Sequence, residues 1–130
     1  MATSRTYEGG CLCGRQRYRI TGAIPAANLC HCRSCRLAAG APVVAFADLA
    51  PGQFAWTAGE PSFYASSAGV RRGFCATCGT ALTYESEDLP GEVHVLSATL
   101  AHPGAAPPTG EFFAEERIPW MHVRLPGERS

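Results

Sequence analysis

Short apolar runs, separated by glycine and proline, dominate the hydrophobic pattern of this chain. Along residues 15–20 the arginines share one face of an extended segment, while Tyr18 and Ile20 share the other, which predicts a half-buried strand. Comparable β-rich runs predict further strands at residues 42–48, 53–56, 62–66, 71–74, 80–84 and 92–98. The spacing of apolar residues therefore predicts a mainly β fold.

One short helix interrupts the predicted strands. It begins near Arg33 or Ser34, runs through Ala39 and ends before Gly40, with Pro42 just beyond. Glycine after the last helical residue, followed closely by proline, is a common helix ending. The predicted class is thus mainly β with a single short helix.

The composition of the chain changes from residue 101 onward. Residues 101–110 are rich in proline, glycine and alanine, and they predict an exposed connection. Apolar residues return at Phe112, Phe113, Ile118 and Trp120. We expect these residues to fold back onto the rest of the protein.

Length and charge restrict the possible functions. A chain of 130 residues, 46% of them hydrophobic, predicts one domain over residues 1–130 with a thin core that a metal would help to stabilise. Eleven basic and eleven acidic residues leave no net charge to attract nucleic acid or an anionic membrane. All the basic residues are arginine, which excludes lysine chemistry.

The cysteine content argues against a disulfide framework. Residues 1–10 are polar and do not resemble a signal peptide, and no apolar stretch is long enough to span a membrane. We therefore expect a soluble cytoplasmic protein, in which thiols stay reduced. Seven cysteines would also leave one unpaired.

Four of the cysteines form two knuckle-like pairs, Cys11-x-Cys13 and Cys75-x-x-Cys78, each followed by glycine. Glycine permits the tight turn that lets backbone N–H groups point at thiolates. Four thiolates saturate zinc and define a structural site. Zinc is favoured over disulfides or buried free thiols, and an iron–sulfur cluster is the remaining metal alternative.

The other three cysteines, Cys30, Cys32 and Cys35, are one ligand short of the usual four for zinc. A metal held by them keeps a position for water or a substrate thiol. The start of the predicted helix favours thiolate here, and Arg33 and Arg36 can offset its negative charge. A fourth ligand, conceivably His31, or redox chemistry are the alternatives to an open site.

Other residues carry weaker signals. His94 lies in a predicted strand and is more typical of a core or surface histidine than of a ligand, and His102 and His122 have generic contexts. Arg71 and Arg72, close to the second cysteine pair, could receive a carboxylate, but a solvated charged face is the favoured expectation. The aromatic residues expected mainly in the core, with one or two able to line a pocket, are Phe46, Trp56, Phe63, Tyr64 and Phe74.

Three ordered motifs carry all seven cysteines: GGCLCG at residues 9–14, CHCRSC at 30–35 and GFCATCGT at 73–80. Together they resemble the glutathione-dependent formaldehyde-activating enzyme family, whose domain also occurs in centromere protein V. The resemblance extends over residues 5–120. It implies a β-tent fold with two zinc ions per chain, one structural and one open or labile.

Carried over by motif, the resemblance assigns the structural ligands to Cys11, Cys13, Cys75 and Cys78, and the catalytic ligands to Cys30, Cys32 and Cys35. The reaction it implies joins glutathione to formaldehyde as S-hydroxymethylglutathione and is classed with the carbon–sulfur lyases. Many relatives carry His-Ile-Phe ahead of a Pro-Trp pair. Here Glu111-Phe112-Phe113 precedes Pro119-Trp120, so the substrate need not be shared.

The leading hypothesis is therefore a zinc-dependent enzyme that adds a small thiol to formaldehyde or a related aldehyde. The metal, Arg33 or backbone donors would stabilise the developing oxyanion. Its partners would be small-molecule thiols and aldehydes, without nucleic acid or membrane. The alternative is a non-catalytic zinc module that binds a partner or buffers metal.

Overall fold

The computed structural model describes residues 5–127, which form two β-sheets and one α-helix. The strands are β1 (Thr6–Gly10), β2 (Arg17–Thr21), β3 (Ala26–Cys30), β4 (Val44–Leu49), β5 (Phe54–Ala58), β6 (Ser62–Ser67), β7 (Val70–Phe74), β8 (Ala81–Ser86), β9 (Val93–Leu96) and β10 (Gly110–Phe112). The helix is α1 (Arg33–Ala39), and short 3₁₀ helices lie at Ser97–Thr99, Pro103–Ala105 and Ala114–Glu116. The predicted mainly β class is confirmed.

The single α-helix ends as its sequence predicts. Cys32 is the N-cap, and Gly40 adopts a left-handed conformation with φ of 64° while its N–H donates to the Arg36 carbonyl. A residue with a Cβ rarely adopts this conformation, so glycine ends the helix here. Within residues 5–127, no helix is long and apolar enough to cross a membrane.

Three strands were not predicted, because their sequences lack a β pattern of their own. β1 ends in two glycines, β3 begins with two alanines, and β10 has three residues. Each pairs with a neighbour along its length, β1 with β2, and β10 with β3. Tertiary pairing therefore supplies the backbone hydrogen bonds that local propensity does not predict.

The two sheets differ in size and share one core. The smaller sheet has the order β1-β2-β5, and the larger has the order β10-β3-β4-β9-β8-β7-β6. β10 runs parallel to β3, and the other paired strands are antiparallel. Tyr18 and Ile20 of the smaller sheet are fully buried in one cluster with Leu49, Leu82 and Val95 of the larger sheet. The predicted inward face of residues 15–20 is confirmed.

The expectation that the aromatic residues mainly fill the core is partly wrong. Phe46 is buried, Trp56 and Phe74 are half-buried, but Phe63 and Tyr64 are exposed. Both exposed residues lie on β6, the last strand of the larger sheet. An edge strand has a neighbour on one side only, so less of its side-chain surface is covered.

The final segment returns to the larger sheet through β10, as expected. Phe112 and Phe113 nevertheless stay about half exposed, and Trp120 is 67% exposed. The connection at residues 101–110 is mostly exposed, as predicted, although Ala106 is buried in the core.

Gly9 of β1 lies so close to Tyr18 of β2 and to the 3₁₀ helix Ser97–Thr99 that a larger residue is not expected to fit there. The Tyr18 hydroxyl hydrogen-bonds Thr99 Oγ1 at 2.7 Å, and a Cβ on Gly9 would overlap that hydroxyl and lie 2.6 Å from the Thr99 carbonyl oxygen. Gly9→Ala is expected to lower the free energy of unfolding by about 1–3 kcal/mol, measured by urea denaturation. Gly104→Ala is the control, because a Cβ there meets nothing within 4 Å. Equal stability of the two variants would contradict this packing.

Candidate metal centres and active site

The first cysteine group joins two hairpin turns. Cys11 and Cys13 follow β1, whereas Cys75 and Cys78 follow β7. Their four sulfur atoms lie within 4.8 Å of one another, with 3.5 Å between Cys11 and Cys13 and 3.8 Å between Cys13 and Cys75. A disulfide requires about 2.05 Å, and all four thiols are free. The group therefore brings together one turn from each sheet.

The spacing of these sulfurs suits one tetrahedral metal ion. Zinc–sulfur bonds of about 2.3 Å place neighbouring sulfurs about 3.8 Å apart. Gly14 and Gly79, which follow the two pairs, have φ of 81° and 82°. Glycine adopts this left-handed conformation at little cost, so both turns curl tightly around the sulfurs. The four-cysteine group can hold a metal ion.

Polar contacts favour the ionised form of two of these thiols, Cys11 and Cys78, whose pKa values are lowered. The Gln16 amide donates to Cys11 Sγ at 3.3 Å. Thr80 accepts from the Leu12 amide at 3.1 Å and lies 3.2 Å from Cys78 Sγ. Hydrogen bonding from Thr80, first through its hydroxyl, lowers the pKa of Cys78 to about 5. A thiolate at neutral pH is the form that binds metal.

The second cysteine group surrounds the start of α1. Cys30 ends β3, Cys32 caps the helix and Cys35 lies in its first turn, where the Cys35 amide donates to Cys32 Sγ at 3.3 Å. Their sulfur atoms lie within 4.8 Å of one another, and no other cysteine, histidine or acidic residue in the range 5–127 joins the group. Three thiols can hold a metal ion and leave a coordination position free.

His31 lies between two of these cysteines but faces elsewhere. Its ring is fully buried, with Nε2 2.8 Å from Glu111 Oε1. The backbone N–H of His31 donates to the Phe112 carbonyl at 3.0 Å. Neither ring nitrogen joins the three-thiol group, and Nδ1 has no hydrogen-bond partner in the described part of the chain. His31 is therefore a buried anchor for the final segment.

The final segment holds the cysteine loop in place. We call residues 110–116 the C-terminal strap. Its strand β10 pairs with β3, Glu111 contacts His31, and Glu116 Oε1 accepts from the Arg33 N–H at 3.1 Å. These contacts flank both sides of the turn that carries the second cysteine group.

A cavity of about 350 Å³ opens directly onto the three thiols. Its walls are formed by Cys30, Cys32, Ser34, Cys35, Phe46, Asp48, Ser67, Arg72, Tyr84, Leu89, His94, Phe112 and Phe113. The volume is in the range of small-molecule sites, and the mixture of aromatic walls with a few polar groups is typical of them.

Four of the wall residues form a line across the larger sheet. Arg72, Tyr84, His94 and Asp48 are directly opposed in the pairing of β7, β8, β9 and β4. Directly opposed residues share a face of the sheet. The Arg72 guanidinium carbon lies 5.0 Å from the Tyr84 ring centre, the Tyr84 and His94 ring centres are 5.8 Å apart, and His94 Nδ1 is 3.2 Å from Asp48 Oδ1. We call these four residues the cross-sheet row.

Known proteins match this arrangement. The family model described as glutathione-dependent formaldehyde-activating enzyme matches residues 6–116. The chain belongs to this family. An uncharacterized lyase of Schizosaccharomyces pombe is 33% identical over 78 residues, which are 60% of this chain and 56% of the relative. The match thus spans little more than half of that relative's length.

A solved structure has a similar fold. The crystal structure of a Rhodobacter sphaeroides protein aligns with a TM-score of 0.57 and 26% identity, and the alignment covers 72% of this chain and 87% of that one. The resemblance drawn from the three cysteine motifs is confirmed. A lyase-type, formaldehyde-activating function is therefore supported at the level of the family.

Arg72 lies beside the three thiols, although the sequence predicted that it would be exposed to solvent. Arg72 Nη1 lies 3.6 Å from Cys35 Sγ, and Nε donates to Ser66 Oγ at 3.0 Å. Hydrogen bonding from Cys30 lowers the pKa of Cys35, and Arg72 lowers it further, whereas burial acts in the opposite direction. Arg36 Nε instead donates to the His31 carbonyl at 3.1 Å. Arg72 thus has the position that was expected for Arg33 and Arg36.

Arg71 behaves as predicted and shows why its neighbour does not. Its side chain is 54% exposed, pairs with Glu85 at 3.2 Å and lies 3.9 Å from the centre of the Phe63 ring. Adjacent strand residues point to opposite faces. Arg72 therefore faces the cavity while Arg71 faces solvent. Knowing which face of β7 is covered would have distinguished these two arginines.

His94 and Asp48 were also missed as site residues. Both side chains are 16% exposed and both line the cavity. Their proximity depends on β4 and β9 being neighbours, although the two strands are distant in the sequence. The period-two pattern predicted these strands but not their order. His102 and His122 lie exposed and outside the cavity lining.

The buried contact between the strap and His31 makes a stability prediction. Glu111→Ala leaves both nitrogens of the His31 ring without a partner, and is expected to lower the free energy of unfolding by about 1–3 kcal/mol in urea denaturation. Glu111→Gln keeps a hydrogen-bonding group and should recover part of this loss.

The control is Glu115→Ala, an exposed strap residue, which is expected to change stability by less than about 0.5 kcal/mol. If Glu111→Ala were as stable as Glu115→Ala, the strap would not anchor the cysteine loop through His31.

Proposed function

We propose that this protein is a zinc-dependent enzyme of the carbon–sulfur lyase type that adds a small thiol, such as glutathione, to formaldehyde or a related aldehyde. The observation that carries the proposal is the group of Cys30, Cys32 and Cys35, which has no fourth ligand in residues 5–127 and opens onto the cavity. Family membership supports the same reaction class.

The two cysteine groups would hold two zinc ions with different tasks. The four thiols of Cys11, Cys13, Cys75 and Cys78 fill a tetrahedral site and would have a structural role. The three-thiol group leaves one coordination position open. Zinc bound there would supply a Lewis acid that favours the thiolate form of a thiol substrate.

The residues around the cavity would orient the reactants. When the sulfur–carbon bond forms, the carbonyl π pair moves onto oxygen, so negative charge develops on that atom. The Arg72 guanidinium lies beside Cys35 and lines the cavity, which suits it to stabilise this charge. Phe46 and Tyr84 supply aromatic walls that limit water near the reacting atoms.

Metal removal tests the assignment of the two sites. Purified protein is expected to contain about two zinc ions per chain, of which mild chelation removes one. Cys32→Ser should contain about one, resistant to the same treatment, whereas Cys75→Ser should lose thermal stability. Elemental analysis and a melting curve give both results. A single metal that resists chelation, or an iron–sulfur absorption spectrum, would contradict the assignment.

Catalysis is tested by following hemithioacetal formation from formaldehyde and several thiols with exchange NMR. The wild type should exceed the uncatalysed rate, Cys32→Ser should fall to that background, and Arg72→Gln should lose about 10²–10³-fold in kcat because an oxyanion donor is removed. Leu37→Ser, on the exposed side of α1, is the control and should keep full activity. An inactive wild type with two bound zinc ions would favour the non-catalytic zinc module.

A further inference from the structure

The His94 ring lies between two carboxylates that differ in their surroundings. Its Nδ1 is 3.2 Å from Asp48 Oδ1, and its Nε2 is 3.0 Å from Glu92 Oε1. The Asp48 side chain is 16% exposed, whereas that of Glu92 is 36% exposed. One ring nitrogen is therefore held by an inner carboxylate, and the other by an outer one that contacts solvent.

Asp48 is fixed in position from several directions. Asn28 Nδ2 donates to Asp48 Oδ2 at 2.8 Å, which leaves Oδ1 directed to the imidazole. Burial raises the pKa of Asp48, while the neighbouring His94 and the Asn28 hydrogen bond oppose that rise. The Tyr84 ring packs against His94 from the adjacent strand. The orientation of the imidazole is thus set by Asp48 and Tyr84.

Charged and titratable groups face His94 from each neighbouring strand. Asp48 contributes from β4 and Tyr84 from β8, while Glu92 lies just before His94's own strand. Arg72 supplies the guanidinium of the cross-sheet row, and the Tyr84 ring lies between it and His94. His94 also lines the cavity onto which the three thiols open.

We infer that His94 is a catalytic residue that carries the proton from the thiol to the carbonyl oxygen in the reaction proposed above; the inference rests on that proposed function. The proton between Nε2 and Glu92 stays on the carboxyl when that contact breaks, and it returns to its place when the contact re-forms. Nε2 therefore faces the substrate unprotonated and accepts the thiol proton. The sulfur–carbon bond forms as the carbonyl π pair moves to oxygen, and Nε2–H then donates the same proton to that oxygen. No proton is gained or lost overall.

In this role Asp48 is a positioning residue. A carboxylate on Nδ1 keeps Nε2 directed at the reactants and stabilises the imidazolium that forms during the transfer. The proposal needs a single group that acts first as a base and then as an acid, which imidazole does near neutral pH. A merely structural ion pair would hold the strands together without affecting the pH dependence of the rate.

The test compares kcat against pH for hemithioacetal formation in the zinc-loaded wild type, His94→Gln and Asp48→Asn. His94→Gln is expected to lower kcat about 10²–10⁴-fold and to flatten the pH profile of kcat relative to the wild type. Asp48→Asn should reduce kcat by less and shift that pH dependence. Both variants should keep the zinc content and KM of the wild type.

The control is Glu85→Gln, a carboxylate variant of the same sheet outside the cavity lining, which should leave the profile unchanged. If the wild type is active and His94→Gln keeps the same kcat and pH profile, the role of His94 is overturned while the proposed function stands. A wild type with no rate above background for any thiol tested would overturn the proposed function, and the role of His94 with it.

Discussion

The meeting of two hairpin turns at Cys11, Cys13, Cys75 and Cys78 is the constraint on which the rest of the structure depends. It joins the smaller sheet to the larger one across 62 residues of sequence between Cys13 and Cys75. Tyr18 and Ile20 pack against the larger sheet in the same buried cluster as Cys11 and Cys75. A small domain buries a limited apolar area, so a metal ion held by these four cysteines would contribute much of what orients the two sheets.

The second cysteine group serves a different purpose because it opens onto a cavity. Its three thiols occupy one β-strand end and the first turn of a seven-residue helix, and the C-terminal strap fixes that turn through Glu111 and Glu116. The cross-sheet row presents a cation and a histidine–carboxylate pair to the same cavity. The strap and the row therefore both contribute walls of the proposed active site. Glu111, at which the sequence departs from the motif that the resemblance implies, contacts His31 rather than lining the cavity.

The sequence predicted those helices and strands whose own residues carry a helix-ending or strand pattern. The helix is followed by a glycine at residue 40 and a proline at residue 42, and strand β2 alternates buried and exposed positions. β1, β3 and β10 escaped prediction because their hydrogen bonds depend on partners elsewhere in the chain. The exposure of Phe63 and Tyr64 was missed for a related reason, since only strand order reveals that β6 lies at an edge.

The sequence by itself determined which neighbouring cysteines group together, because residues within a few positions of one another converge through local turn geometry. The meeting of Cys13 with Cys75 required the tertiary structure. The sequence also determined the mainly β class, through the period of its apolar residues. Only the tertiary structure decided which distant side chains face the three thiols. Arg72, His94 and Asp48 come from strands that are not consecutive, and they meet because backbone pairing sets their register. A shift of one residue in that register would turn each of them to the opposite face of the sheet.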